Sequence, residues 1–266
     1  LWLWHFKHKR SYINHSLYDN GRVSKLEVLV RLNPEKLKIA VLGGTGNIGE
    51  GLILRLALQN LMPDGVKNEV IIGSRCLESA EEAAKKALKE LENCGFDISR
   101  ISVSGNVNLE AAKAADVIIL TIRFNYVKAL LEEVRGALEG KIVITPVVPM
   151  VKEGPLLEYQ PPSEGSAAQA IKAWVPESTK VVAAFHNIAA GKLKDIVQCK
   201  AVHDSVVCSD DEEAKKKVFE LVKHMGCLKP LDGGPLKHAN TVESLTPLLI
   251  NIAKLNGMKD LGINFS

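Results

Sequence analysis

Short apolar runs alternate with longer amphipathic stretches from Lys38 onward. The run "IAVLG" carries no polar position, which suits a central strand buried on both faces. Behind it, Leu52, Leu56, Ile53 and Ala57 recur at helical spacing. "NEVIIGSR" (Asn68–Arg75) predicts a second strand, and "ESAEEAAKKALKELENCG" an exposed amphipathic helix stopped near Gly95. "RISVSGN" predicts a third strand, "NLEAAKAA" a short helix, and "DVIILTI" (Asp116–Ile122) a fourth strand buried on both sides. A helix to about Glu139 leads to "KIVITPVVP", a fifth strand ended by Pro146 and Pro149. This alternation predicts an α/β fold, a doubly wound parallel sheet with a smaller α/β C-terminal part.

Residues 151–165 hold three prolines and two glycines and are read as a loop or lid. "SAAQAIKAWV" predicts a helix and "TKVVAAFHNI" a sixth strand ending at His186. Next come a strand, a turn and a helix, with Ser209-Asp210-Asp211 setting acids at the helix N-terminus. "CLKPLDGGPL" is read as strand and turn. "TVESLTPLLINIAKLNG" closes the chain as an apolar helix that Pro247 kinks or starts. Val242, Leu245, Leu249 and Ile252 share one face of it, with Leu248 alongside. That face is core or dimer interface, and a homodimer is expected.

Composition adds constraints rather than chemistry. The 266 residues are 46% hydrophobic and 24% charged, ordinary for a globular protein. The net charge is only +3, and residues 1–36 alone carry seven basic and three acidic side chains. The remainder is near neutral, which argues against a nucleic-acid partner. No apolar run approaches the ~20 residues of a membrane span. Five scattered cysteines without a C-x-x-C argue against a disulfide framework or a zinc site, and for a reducing, cytoplasmic setting. No metal-ligand spacing is found among the histidines. Residues 1–36 lack Met at the start and hold two of the three tryptophans. They form an N-terminal extension with three open readings: an upstream translation artefact, a docking arm or an extra helix.

The glycine cluster Gly44-Thr45-Gly46-Asn47-Ile48-Gly49 fits G-x-G-x-x-G between a strand and a helix. Gly44 would permit a tight turn, Gly46 the approach of a pyrophosphate, and Gly49 close packing of helix on strand. The helix N-terminus would supply free N–H groups for the anion. The alternative is an ordinary structural turn. Where NAD-binding folds place a carboxylate after the second strand, this chain has Gly73-Ser74-Arg75. A hydroxyl and a guanidinium suit a 2′-phosphate, so NADP is expected. Residues 37–190 are therefore read as an NADP-binding Rossmann domain and 191–266 as a smaller closing domain.

From about Lys38 to the C-terminus the chain resembles the archaeal and bacterial family of coenzyme F420-dependent NADP reductases. The resemblance rests on "LGGTGNIGEGLILRLA", "GSR", "LTI" at Leu120–Ile122, "PVVP" at Pro146–Pro149, "DGGPL", "VESLTPLLINI" and "NGMKDLGINF". It implies reversible hydride transfer between two diffusible cofactors, NADP and the deazaflavin coenzyme F420. Such a step needs no nucleophile and no catalytic side chain; the protein stacks two rings and excludes water. By resemblance Gly44, Thr45, Gly46, Asn47 and Ile48 hold the pyrophosphate, and Ser74 and Arg75 the 2′-phosphate. Ile122, Phe124, Val148, Met150 and Ala190 line the nicotinamide side. His186, Ile188 and Leu261 contact the deazaflavin. Arg123 and Phe124 stand where relatives often carry Pro and Trp, and Ser79 where they carry Lys. Arg123 is either a new anion contact or solvent-facing. Two other functions stay open on sequence alone: an NADPH-dependent reductase of a small metabolite, with His186 as proton donor, and a non-catalytic NADP(H) sensor.

Overall fold

The computed structural model describes residues 36–61, 67–197 and 201–265. The readings of the N-terminal extension fall on residues 1–35, outside the described residues.

The chain opens with β1 (Lys38–Leu42), α1 (Asn47–Leu58), β2 (Glu69–Ser74), α2 (Leu77–Asn93), β3 (Ser102–Val107) and α3 (Asn108–Ala114). It continues through β4 (Val117–Leu120), α4 (Phe124–Val134) and β5 (Ile142–Thr145). A hairpin of β6 (Met150–Glu153) and β7 (Leu156–Tyr159) leads to α5 (Ala167–Trp174) and β8 (Lys180–Ala183). The remainder is α6 (Ala190–Lys194), β9 (His203–Val207), α7 (Glu212–His224), β10 (Leu228–Asp232) and α8 (Ala239–Leu255).

Six strands form one parallel sheet in the order β3-β2-β1-β4-β5-β8. The strand order reverses between β1 and β4, so a crevice opens there at the carboxyl ends of the strands. The apolar runs form strands because both faces are covered. Ile39 to Leu42 and Ile118 to Leu120 have no exposed surface. One face packs Leu52 and Leu56 of α1, Leu91 of α2 and Val218 of α7. The other packs Ala111 of α3, Leu131 of α4, Ile171 of α5 and Val242 of α8. Each fully buried Leu or Ile contributes about 1.5–3 kcal/mol. β9, α7 and β10 form a second parallel pair, bridged to the main sheet by Ala183 and Cys208. Asp211 caps α7 by accepting from the Ala214 N–H at 2.7 Å, the role its acidic run predicts.

Four expectations change. Residues 151–165 are not all loop: Gly154-Pro155 makes the turn of an antiparallel hairpin, and α8 holds the far strand. Asn251 Nδ2 donates to the Leu157 carbonyl at 2.7 Å, and its Oδ1 accepts from the Leu157 N–H at 2.9 Å. The sixth strand stops at Ala183 rather than His186, because Phe185 turns the chain with φ 70°. Pro247 lies inside α8, which begins earlier, at Ala239. Val242 and Leu249 of the apolar face reach the core, whereas Leu248 and Ile252 stay exposed. The cysteines also differ from expectation: Cys76, Cys94 and Cys208 are free thiols, but Cys227 is disulfide-bonded.

Candidate functional site

The glycine loop leaves the carboxyl end of β1 at the topological switch. Its left-handed residue is Gly43, with φ +77°, not Gly44. A Cβ at Gly43 would lie 2.1 Å from Ile122 Cγ2, so Ile122 walls the turn. Gly44 is needed instead for packing, because a Cβ there would sit 2.9 Å from Ile53 Cδ1 and 3.0 Å from Ile72 Cγ2. Gly49 approaches Gly44, 2.7 Å between its would-be Cβ and the Gly44 Cα, which brings α1 close to β1. Gly46 differs from all of these. It is the N-cap of α1, with no side-chain cap, and a Cβ there would meet nothing nearer than 3.8 Å. Thr45, Gly46 and Asn47 are exposed and Ile48 half-buried. An exposed, uncapped helix start with open space above it fits a pyrophosphate.

Beside it, the Gly43 N–H bonds to the Gly73 carbonyl at 3.0 Å, so the end of β2 borders the loop. Ser74 is half-buried and Arg75 exposed. Sequence reasoning missed a carboxylate at this corner. Glu78, in the first turn of α2, accepts from the Cys76 thiol at 2.6 Å, and that bond holds its pKa below the ordinary value. Ser79 is exposed, and Lys86 on α2 is tied to Glu50 at 2.7 Å.

The other half of the edge is formed after β4, β5 and β8. Phe124 begins α4 and packs at a tilt against Trp174, ring centroids 5.7 Å apart. Val148 is half-buried, and Met150 is exposed at the first position of β6. His186 is buried next to Val147, and neither ring nitrogen has a hydrogen-bond partner. Burial pushes its pKa down to about 4, with the Val147 backbone opposing slightly, so the ring is neutral near pH 7. Such buried polar atoms are open to a water or to a ligand. Ile188 is buried, and Ala190 and Leu261 are half-buried. Leu261 is carried to α6 by its neighbour, for Asp260 Oδ1 accepts from the Gly191 N–H at 3.2 Å.

Contacts between distant segments join the two halves. Gly51 lets α6 lie on α1, since a Cβ there would be 2.6 Å from Leu193 Cβ. Lys194 Nζ reaches Glu50 at 2.5 Å and Asn47 Oδ1 at 3.3 Å, at the start of α1. Arg55 of α1 is buried and donates to the carbonyls of Leu193, Lys192, Asp195, Met225 and Gly226. Those carbonyls end α6 and α7, so one cation closes two helix C-termini. Lys194 belongs to no local motif, and Arg55 sits in the stretch after the glycine loop with nothing to mark its partners; the small residue at Gly51 is the one sequence hint of the contact.

Among the described residues no cluster of three or more His, Cys, Asp or Glu could hold a metal ion. No described helix is long and apolar enough to cross a membrane.

Residues 38–149 match the family model described as NADP oxidoreductase, coenzyme F420-dependent. The F420-dependent NADP reductase of Methanocaldococcus jannaschii is 38% identical over 236 residues, covering 86% of this chain and 98% of its own. The chain belongs to the F420-dependent NADP reductase family. That of Methanothermobacter marburgensis is 39% identical over the same shares. A crystal structure from Arthrobacter sp. FB24, provisionally assigned as an F420-dependent NADP reductase, superposes with a TM-score of 0.70. It is 24% identical and covers 86% of this chain and 99% of its own, a likeness of fold. An imine reductase from Myxococcus stipitatus shares the fold at a TM-score of 0.52 and 17% identity, covering 84% of this chain and 63% of its own. The glycine loop, Ser74, Arg75 and Ile122 share one corner, and Ile188, Ala190 and Leu261 share another with His186.

Proposed function

We propose that this chain catalyses reversible hydride transfer between reduced coenzyme F420 and NADP, the activity for which its relatives are named. The observation that carries it is near-complete coverage of those relatives at 38–39% identity. An open pyrophosphate cradle at Gly46 and an orphaned, buried His186 at the same sheet edge support it. Thr45, Gly46, Asn47 and Ile48, following Gly44, hold the pyrophosphate, and Ser74 with Arg75 holds the 2′-phosphate. Ile122, Phe124, Val148, Met150 and Ala190 shape the nicotinamide side. His186, Ile188 and Leu261 form the deazaflavin wall. The nicotinamide and the deazaflavin supply the hydride chemistry when bound. The chain's own work is to hold two planar rings together in a dry place. His186 contributes a neutral polar surface rather than a proton, because burial keeps it unprotonated.

The same reading makes residues 37–190 the NADP-binding part and 191–266 the part that closes on the deazaflavin. It makes the protein a cytoplasmic homodimer. Exposed Leu248, Ile252 and Leu255 on α8 support the dimer. The test mixes purified protein with oxidised F420 and NADPH and follows loss of the deazaflavin's visible absorbance, with NADH as control. Rapid bleaching with NADPH and little with NADH is expected. A protein that binds both cofactors and bleaches neither way is not this enzyme.

A further inference from the structure

The backbone after β8 is strained. Phe185 is fully buried yet has φ 70°, a conformation that bulky residues avoid. Such strain persists only where the surroundings hold it in place, and it gathers at functional sites. Here several elements hold it. The Phe185 N–H donates to Ser205 Oγ at 3.3 Å, and Thr246 of α8 donates to the His186 carbonyl at 2.8 Å.

Asn187 supplies the remaining ties, and its side chain is buried. Its Nδ2 donates to the Asp204 carbonyl at 2.6 Å, and its Oδ1 accepts from the Val206 N–H at 3.3 Å. A carbonyl at one residue and an N–H two residues on are what a neighbouring strand would engage, so the amide imitates a strand residue beside β9. The same Nδ2 also donates to the Ile263 carbonyl at 3.1 Å, and the Asn187 backbone carbonyl accepts from the Ile263 N–H at 3.4 Å. One residue thus joins the strained turn bearing His186 and Ile188, the small sheet, and the C-terminal tail bearing Leu261.

We propose that Asn187 is the positioning residue of the deazaflavin half of the site, fixing His186 and Ile188 against Leu261. The inference rests on the functional reading above, and the two fail separately. Its chemistry is backbone satisfaction: an alanine would leave the Asp204 and Ile263 carbonyls and the Val206 N–H without their partner. The turn would then relax and its spacing from the tail would loosen. The glycine loop should keep its geometry, because α6 stays tied to α1 through Arg55 and Lys194, neither of which bonds to Asn187.

The test compares wild type, Asn187→Ala and Thr179→Ala. Thr179 is a buried residue at the opposite end of β8, whose hydroxyl donates to the Leu138 carbonyl at 2.9 Å. It serves as the control for destabilisation alone. Fluorescence titration gives the dissociation constants of oxidised F420 and of NADPH well below each variant's melting temperature. Asn187→Ala should weaken F420 binding about tenfold or more and leave NADPH within about twofold, because only the deazaflavin wall is misplaced. Thr179→Ala should leave both constants within about twofold, since it lies beyond coupling distance. Should Asn187→Ala fail to fold, Asp260→Ala releases the tail from Gly191 at an exposed position and should weaken F420 selectively. Unchanged F420 binding, or equal loss of both cofactors, overturns the proposal. Wild type that binds both cofactors without transferring hydride overturns the functional reading and leaves this one standing.

Discussion

Gly46→Ala should leave stability nearly unchanged and lower cofactor affinity, so one methyl group separates binding from folding. Gly46 has φ −90° and ψ 167°, an extended conformation open to any residue. A Cβ there meets only the carbonyls of Gly43 and Thr121, at 3.8 Å, so no strain opposes it. Replacing glycine by alanine at a compatible position stabilises by about 0.4–1 kcal/mol through the unfolded chain, but alanine is a poorer N-cap for α1 by a similar amount. For a chain of this size the two nearly cancel, leaving the melting temperature within about 2 °C of wild type. The same methyl fills the space over the start of α1 where the pyrophosphate is placed. Overpacking of about 1–3 kcal/mol is expected there, which is roughly 5- to 150-fold in NADPH affinity. Gly44→Ala is the contrast. Its Cβ would press on Ile53, Ile72 and the Val41 carbonyl, at 2.9 to 3.1 Å, so it should destabilise the apo protein by about 1–3 kcal/mol. Thermal unfolding without ligand and fluorescence titration with NADPH separate the two. A Gly46→Ala protein that binds NADPH as tightly as wild type would place the pyrophosphate elsewhere and refute the reasoning.

Arg55→Met should lower unfolding stability by at least about 3–5 kcal/mol, a large part of a total of about 5–15. Five carbonyls at two helix ends lose their donor, and Arg55→Lys should rescue little because an ammonium cannot span them; a urea midpoint near wild type would refute this. Arg75→Ala should raise the NADPH KM about 10- to 150-fold, the cost of one charge-assisted bond, and leave the weaker NADH reaction unchanged. Equal losses with both nucleotides would mean that Arg75 does not grip the 2′-phosphate. His186 has a folded pKa of about 4 against an ordinary 6.5, so the unfolded state binds more protons between those values. Its contribution is present above pH 6.5 and is lost on acidification, roughly 3 kcal/mol by pH 4. Glu243, raised by burial to about 7, tilts the other way, losing stability as pH rises from its ordinary 4.5. The difference between wild type and His186→Gln isolates the histidine: the variant's stability should fall less between pH 6.5 and 4, and parallel curves would sink the assignment.

The parts of this molecule legible in its sequence are those written in neighbouring residues. β1, β4 and β5 are short continuous apolar runs with both faces covered, and their length and β-branched residues identify them, with flanking Gly or Pro at β1 and β5. The glycine loop is legible for the same reason, but the motif puts the tight turn at Gly44. A motif names spacing, whereas the turn depends on which peptide faces Ile122 and β2, and that is Gly43. The hairpin at Met150–Tyr159 is hidden because β6 is exposed and β7 only half-buried, so neither carries an alternating burial pattern; α8 supports it from 94 residues away in sequence.

The residues that assemble the candidate site belong to a different class. Arg55 acts 138 residues away on Leu193, and Asn187 76 residues away on Ile263. Both bond mainly to backbone, where the sequence of the partner leaves no trace. A polar side chain in an apolar run normally reads as exposed or misplaced, yet burial without a partner costs enough that such a residue must answer a particular set of carbonyls or N–H groups. In the stretch Phe185-His186-Asn187, the histidine attracts notice as a titratable group. The asparagine is the residue whose amide uses both N–H groups and its oxygen, in three hydrogen bonds. The division of labour follows from that: a side chain left orphaned by the fold is available to a ligand, and a side chain fully satisfied by the fold holds the first one still.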